Sequence, residues 1–254
     1  MTHYGLYGGL PHNAGAEDIG ALGGYLRGLR KSPVAGAADL WGVGQAEFPS
    51  HIAPLPVSWD EIDRDTEWAD RMATLIGLTA DQFVLYTLNH SQSAQMWPWL
   101  HVAFRRKARF ATVMPIAWDA GRLEMYTRRF QVDHLFGVAP VTLDGLTAAG
   151  HDPAKVLGRV GRVSAQPGAW ERLTEAGLKP WRLTWLGPLL VIDPCDGSGG
   201  RFDASQFLLE EVDGDILLTS RSNRTARFER ERTGVRGEIM IVDGEPRLFA
   251  VQPG

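Results

Sequence analysis

The chain carries a single cysteine, Cys195, so no disulfide can form within it; a reducing compartment is the matching expectation. It has no apolar run approaching the roughly 18–20 residues of a membrane helix. Its first residues, Met1-Thr2-His3-Tyr4-Gly5, lack the basic-then-apolar pattern of a secretory leader. These absences together predict a cytoplasmic protein that does not engage membranes. An excess of charge is also missing: 26 Lys and Arg against 30 Asp and Glu give a formal net charge of -4, which leaves no footprint for nucleic acid. No His, Cys and Asp cluster has a metal-ligand spacing, and neither a metal nor another cofactor is expected. There is no internal repeat and no low-complexity linker.

What is present suits a globular fold. The 254 residues suffice for one large domain or two small ones. Nine tryptophans are many for this length; aromatic side chains fill cores and also line pockets for planar apolar ligands. The region 1–56 is Gly- and Pro-rich, with a short helix over Ala16 to Leu29 and a loop over Ser32 to Pro56. Ser58 and Glu61 form a capping-box pair at the start of a helix reaching about Gly77, which should bury Trp59, Ile62, Trp68, Met72 and Leu75.

Strands and helices then alternate. Strands are expected at 82–88, 111–115, His134 to Val138, Arg159 to Ala165 and Trp181 to Trp185. Helices are expected at Gln95 to Phe104, Asp119 to Phe130, Thr142 to Ala149 and Pro167 to Ala176. That order predicts an α/β fold with a mainly parallel sheet of βαβ units flanked by helices. After residue 200 the pattern changes to short strands at Phe207 to Val212, Asp215 to Ser220 and Gly237 to Val242. Asp213-Gly214 is a two-residue hairpin signal. The expected organisation is an N-terminal segment (1–56), an α/β core (57–200) and a small antiparallel β-rich C-terminal part (201–254).

Several local strings, in order, give this chain a resemblance to phenylacetate–CoA ligase-like members of the acyl-adenylate-forming superfamily. Gly77-Leu78-Thr79-Ala80-Asp81 resembles the family's Gly-Val-x-Pro-Gly-Asp before a core strand. Ala111-Thr112-Val113-Met114-Pro115 resembles Ala-Thr-Val-Ile-Pro, and Gly137-Val138-Ala139-Pro140 stands where Gly-Thr-Pro-Ser is found. Ser164-Ala165-Gln166-Pro167 resembles the Gly-Ala-Glu-Pro that packs on adenine. Gly214-Asp215-Ile216-Leu217-Leu218-Thr219 resembles Gly-Glu-Leu-Val-Leu-Thr. Arg230-Glu231-Arg232-Thr233-Gly234-Val235 resembles the segment ending Arg-Thr-Gly-Asp. The resemblance covers roughly residues 57 to 243.

The departures all fall on ATP handling. The family's phosphate loop is a Ser/Thr/Gly-rich run ending in Lys-Pro, which cradles phosphates with backbone N–H groups. This chain has Phe48-Pro49-Ser50-His51-Ile52-Ala53-Pro54-Leu55-Pro56 instead, with three prolines and no glycine. The family's Tyr-Gly-x-Thr-Glu, whose Glu meets magnesium, is replaced by Trp185-Leu186-Gly187-Pro188-Leu189. The ribose-binding Asp is Val235, which has no acceptor for a hydroxyl. The mobile lid domain with its catalytic Lys is expected to be missing. The resemblance therefore implies a degenerate relative in which ATP-dependent ligation is lost.

The acyl-binding half offers other candidates. The segment leaving the first core strand contains Asn89, His90, Ser91, Gln92, Trp97, Trp99 and His101, at a strand C-terminus where α/β ligands bind. Read functionally, it is an aromatic-walled pocket with His90 as general acid or base; the plainer reading is a polar loop followed by core tryptophans. His51, beside Ser50, could do acid/base work or be an exposed loop residue. Cys195 could be a nucleophile if a histidine lies beside it, or a bystander. The glycine-rich stretch from Asp196 to Arg201 reads as a turn. The series Arg221, Arg224, Arg227, Arg230, Arg232 and Arg236 reads as a solvated surface, or as a docking face for a carrier protein or CoA phosphates.

The reading that joins these features is an ATP-independent enzyme acting on an acyl or aryl carboxylate or its thioester. Its reaction would be a cyclisation, isomerisation, acyl transfer or hydrolysis in small-molecule biosynthesis. The alternatives are a non-catalytic scaffold for a carrier protein or enzyme, and a ligase whose lid comes from another chain. The expected partner is a small acyl or aryl substrate, free or bound to CoA or a carrier protein; a homodimer is left open.

Overall fold

The computed structural model describes residues 40–87, 92–221 and 223–253. The expected helix at Ala16 to Leu29 lies outside these residues. The architecture is α/β, with a six-stranded, mainly parallel sheet between helices and a four-stranded antiparallel sheet at the C-terminus. Among the described residues, no helix is long and apolar enough to cross a membrane.

The chain enters through a hairpin, β1 (Leu40–Phe48) and β2 (His51–Ser58), paired in register from Leu40↔Ser58 to Phe48↔His51. This corrects the expectation of loop for residues 40–56. Prolines in β2 suggested that no ladder could form. Pro54 and Pro56, however, share one parity of a two-stranded ribbon. Their missing donors therefore both face the edge away from β1 and cost no cross-strand bond.

Helix α1 (Trp59–Leu75) follows at once. It begins as expected from its capping box: Ser58 N donates to Glu61 Oε2 (2.7 Å) and Glu61 N to Ser58 Oγ (3.2 Å). Ile62, Trp68 and Met72 are buried and Leu75 half-buried, but Trp59 is 57% exposed. Trp59, the first residue of the helix, is thus left out of the face that buries Glu61 and Ile62 in the same turn.

The sheet is built in the order β4-β3-β5-β6-β7-β8, parallel from β4 to β7. Its strands are β3 (Phe83–Thr87), β4 (Arg109–Val113), β5 (His134–Val138), β6 (Arg162–Ala165), β7 (Trp181–Leu186) and β8 (Leu189–Asp193). Helix α2 (Ser93–Arg105) connects β3 to β4; α3 (Ala120–Arg129), preceded by a 3-10 turn at Ala117–Asp119, leads to β5. Helices α4 (Pro140–Ala148) and α5 (Pro153–Leu157) precede β6, and α6 (Ala169–Glu175) precedes β7. The strand expected from Arg159 begins only at Arg162, because Asp152 caps the short α5 through its side chain and the chain must first leave that helix.

Both faces of the sheet are covered, so its central strands read as continuous apolar runs. In β3, Val84 and Tyr86 enter the core under α1 and α2, while Phe83 and Leu85 enter the core under α3 to α6. The edge strand β8 was not anticipated. It turns back antiparallel after Gly187-Pro188 and splits its side chains the same way. Leu190 and Ile192 join the core under α1 and α2; Leu189 and Val191 join a third core shared with the hairpin and the C-terminal sheet.

That C-terminal sheet runs β12-β11-β10-β9, with β9 (Phe207–Val212), β10 (Asp215–Ser220), β11 (Glu231–Val242) and β12 (Glu245–Pro253). Asp213 (φ 54°) and Gly214 (φ 83°) make the expected hairpin turn. Asp243 (φ 52°) and Gly244 (φ 80°) make a second one of the same chemistry, and β12 follows it.

A buried ion network ties helix α1 to the loop between β10 and β11. Glu61, 0% exposed, accepts hydrogen bonds from Thr225 N (2.8 Å) and Thr225 Oγ1 (2.6 Å). Arg224, 4% exposed, approaches it at 3.0 Å through Nε and meets Asp65 at 2.7 Å through Nη1. The Nε contact is an ion pair that is out of line for a hydrogen bond. The guanidinium also lies over the Phe207 ring, 5.0 Å from its centroid. Arg224 therefore does not belong to a solvated basic surface. Of the other arginines, Arg230 pairs with Glu210, and Arg232 and Arg236 flank Asp215.

Burial alone would raise the Glu61 carboxyl, but Arg224 and hydrogen bonds from Thr225 and Ser58 outweigh it and hold it below the ordinary glutamate range. A depressed carboxyl contributes stability that is present above its unfolded pKa and is lost as pH falls through the folded value. Arg224→Ala leaves Glu61 buried without its cation and should cost about 3–5 kcal/mol at neutral pH. Urea-unfolding midpoints should show the variant's deficit shrinking as pH falls through the depressed folded value of Glu61, below which the carboxyl is protonated in both proteins; a deficit independent of pH would remove Glu61 from this account.

Candidate functional site

A cleft of about 440 Å³ opens at the C-terminal ends of β6 and β7, the usual ligand position of an α/β sheet. Gln166 and Pro167 follow β6 directly, and Arg182, Thr184 and Trp185 come from β7. Trp170, on the first turn of α6, is held by an Nε1 bond to Pro180 O (3.0 Å). Across from them stand Gln92, just before α2, and Gln95 within it. The hairpin supplies Gln45 and Glu47, two residues apart on β1 and thus on one face of the strand. The intervening Gly44, Ala46 and Phe48 are buried on the other face.

The polar groups of the cleft are largely held by the protein. Gln166 Nε2 donates to Gly137 O (3.1 Å), and Gln95 Nε2 to Gln45 O (2.6 Å). A carbonyl partner can take only the amide nitrogen, so both flips are fixed. Arg182 is paired with Asp193 at 2.7 Å, its register partner on β8, and its guanidinium lies 5.2 Å from the Trp170 ring.

The three segments in which the sequence departs from its resemblance meet at one edge of this cleft. Phe48, at the end of β1, lies on Gly187: a Cβ there would come 2.5 Å from Phe48 Cζ. Pro49, in the hairpin turn, lies on Gly234, where a Cβ would come 2.5 Å from Pro49 Cγ. Both glycines also have positive φ, 60° and 74°. Thr233 Oγ1 donates to Ile216 O (2.8 Å) and accepts from Val235 N (3.2 Å). Thr233 and Gly234 are therefore required by packing, while Val235 only adds an apolar wall.

The sequence-derived candidates are dispersed. Asn89, His90 and Ser91 lie outside the described residues. Gln92 lines the cleft. Trp99 is buried, its carbonyl accepting from Tyr86 Oη (2.9 Å) and its ring packed at a tilt against Phe136, 4.5 Å between centroids. Trp97, 37% exposed, packs between Trp41 and His101 on the outer face of α2. His51 sits exposed at the hairpin turn, 3.0 Å from Ser50 Oγ and stacked on Phe48. Cys195 lies on the loop after β8, its backbone N bonded to Asp193 Oδ1 (2.8 Å) and its Sγ 3.5 Å from Asp193 O. None of the described histidines hydrogen-bonds Cys195. Gln45, Glu47, Trp170 and Arg182 were not anticipated. The alternation of Gly44-Gln45-Ala46-Glu47-Phe48 was the available signal, and the prolines beside it hid it.

Cys195 is exposed as a residue, yet packing around its sulfur, and after it the Asp193 carboxylate, push its thiol above the ordinary value. Thiolate is the reactive form. Iodoacetamide should therefore label Cys195 more slowly in the native protein than in urea at neutral pH, and the difference should close as pH rises. Faster native labelling would mark an activated thiolate.

No protein-family model and no curated protein sequence matches this chain. Solved structures do. An open conformation of 2-hydroxyisobutyryl-CoA ligase in complex with 2-HIB-AMP and CoA matches with a TM-score of 0.60 at 13% identity, over 88% of this chain and 60% of that one. ATP-bound MatB from Rhodopseudomonas palustris matches at 0.53 and 13% identity, over 85% and 48%. An acyl-CoA synthetase (AMP-forming)/AMP-acid ligase II-like protein from Dyadobacter fermentans DSM 18053 matches at 0.51 and 13% identity, over 94% and 65%. The chain thus shares the fold of acyl-CoA ligases and spans between 48% and 65% of the length of these three structures.

Proposed function

We propose that this chain is an ATP-independent enzyme on an acyl-CoA-ligase-like fold, acting on an acyl or aryl group delivered as a thioester. The observation that carries this reading is the packed junction of Phe48 on Gly187 and Pro49 on Gly234. Those segments stand where the resemblance places the phosphate loop, the magnesium carboxylate and the ribose aspartate. In their place are an aromatic ring, a proline and Val235, none of which can neutralise phosphate charge or accept from a ribose hydroxyl. Activating a free carboxylate requires that machinery, whereas a thioester arrives already activated. One solved neighbour holds an acyl adenylate and CoA, which makes acyl thioesters the natural substrate class to try.

The cleft supplies flat apolar walls and oriented amides for an acyl or aryl group. His90, following β3, is proposed as the general base, with Asn89, Ser91 and Gln92 beside it in sequence. His51 and Cys195 remain proposed accessory groups. In this reading the reaction is a hydrolysis, acyl transfer, cyclisation or isomerisation.

The test uses a phosphate-free thioester, phenylacetyl-N-acetylcysteamine, incubated without nucleotide and followed by thiol release and product mass. Turnover is expected without ATP, with no carboxylate-dependent pyrophosphate exchange when ATP and magnesium are supplied. His90→Ala should lower kcat by about 10²–10⁴-fold. Pyrophosphate exchange would restore the ligase reading. A full-length protein that turns over no thioester would leave the scaffold reading in its place.

A further inference from the structure

We infer that Gln92 and Thr184 receive the carbonyl oxygen of the ligand in the cleft and hold the negative charge that develops on it. The inference rests on the thioester chemistry of the proposed function and assigns the groups that stabilise its tetrahedral intermediate.

The polar side chains of the cleft fall into two kinds. Gln166 and Gln95 spend their amide nitrogens on the backbone carbonyls of Gly137 and Gln45, and Arg182 is paired with Asp193. Gln92 and Thr184 differ. They are only 8% and 6% exposed, and both line the cleft. Among the described residues neither side chain has a hydrogen-bond partner, yet neither polar end is sealed inside the protein. Polar groups withdrawn from water this far are seldom left unpaired, because the lost hydration is then uncompensated. Two of them on one cleft point to a ligand that completes them.

The fold holds both groups in place. Thr184 stands two residues after Arg182 on β7 and so shares its face of the strand. Across β8 it is in register with Val191, and its β-branched side chain has few rotamers. Gln92 stands on the opposite wall, immediately before α2, and its side chain does not cap that helix. The first turn of α2 carries no acidic residue that would oppose a negative charge there.

Both side chains can donate, Gln92 through Nε2 and Thr184 through Oγ1. Donors already placed where charge develops act most strongly in the transition state. In hydrolysis, the general base of the proposed function takes a proton from water, and the water oxygen bonds to the carbonyl carbon. The π pair of the carbonyl moves onto its oxygen, where Gln92 and Thr184 donate to it. Collapse restores the carbonyl and breaks the C–S bond, and the leaving thiolate takes the proton back from the base.

The test uses the full chain with phenylacetyl-N-acetylcysteamine as substrate. Gln92→Ala and Thr184→Val should each lower kcat by about 10²-fold and leave KM within about threefold. Thr184→Ser, which keeps the hydroxyl, should retain most of the rate. Calorimetry supplies a readout that needs no turnover. Benzyl trifluoromethyl ketone, whose hydrate carries the tetrahedral carbon, should bind both variants more weakly in proportion to their loss of kcat/KM. The phenethyl thioether of N-acetylcysteamine, which has no carbonyl oxygen, should bind them as it binds the unmodified protein. Gln92→Ala carries the test alone if Thr184→Val does not fold. Unchanged kcat in the variants would overturn the inference, as would equal losses of thioether and ketone binding, the mark of a packing role. If the thioester is turned over and the variants match the unmodified protein, this inference falls and the proposed function stands. If no thioester is turned over but ketone binding alone depends on Gln92 and Thr184, the oxygen site stands and the proposed function falls.

Discussion

The Glu61 carboxylate is the point on which the arrangement of this chain depends. It is buried within the first turn of α1, where it closes the capping box with Ser58. It also holds Arg224 and Thr225, more than 160 positions further along the chain. Removing a carboxylate from water is costly, and the cost is offset only when each lone pair finds a donor or a cation. Here Ser58 N, both donors of Thr225 and the Arg224 guanidinium supply them. The hairpin that precedes α1 is thereby fixed to the C-terminal sheet, and β1 is fixed along the cleft.

With the hairpin in place, the junction at the rim follows from close packing. Phe48 and Pro49 fit only because Gly187 and Gly234 lack side chains. Phe48 continues into the shared core through a tilted contact with the Phe228 ring, 5.3 Å between centroids. Any motion that reopened space for a triphosphate there would have to withdraw this ring from that core, a penalty of the order of burying a large aromatic side chain, about 1.5–3 kcal/mol.

Much of this was legible in the residues. The capping box at Ser58 and Glu61, the alternation of strands and helices, the third parallel strand at His134 to Val138 and the Asp213-Gly214 turn are local patterns with local causes, and the chain adopts them. The failures also have causes. Prolines in β2 looked incompatible with a ladder, but a two-stranded ribbon has a free edge that tolerates them. The run Leu189 to Asp193 carries no alternation because β8 is buried on both sides by two different cores. Arg224 looked like one of six similar surface arginines, and nothing within a few residues of it reveals Glu61.

The sequence by itself determined the chemistry that each position can offer. Val235 cannot accept a hydrogen bond, the stretch from Phe48 to Pro56 contains no glycine to shape a phosphate cradle, and Gly234 can adopt a positive φ. The tertiary structure decided which of these groups meet. It placed Phe48 on Gly187, brought Glu47 and Gln45 to the ends of β6 and β7, buried Arg224 against Glu61 and paired Arg182 with Asp193. The division has a physical origin: a side chain's donors, acceptors and volume belong to one residue, whereas its burial and its partner depend on residues that only folding brings near.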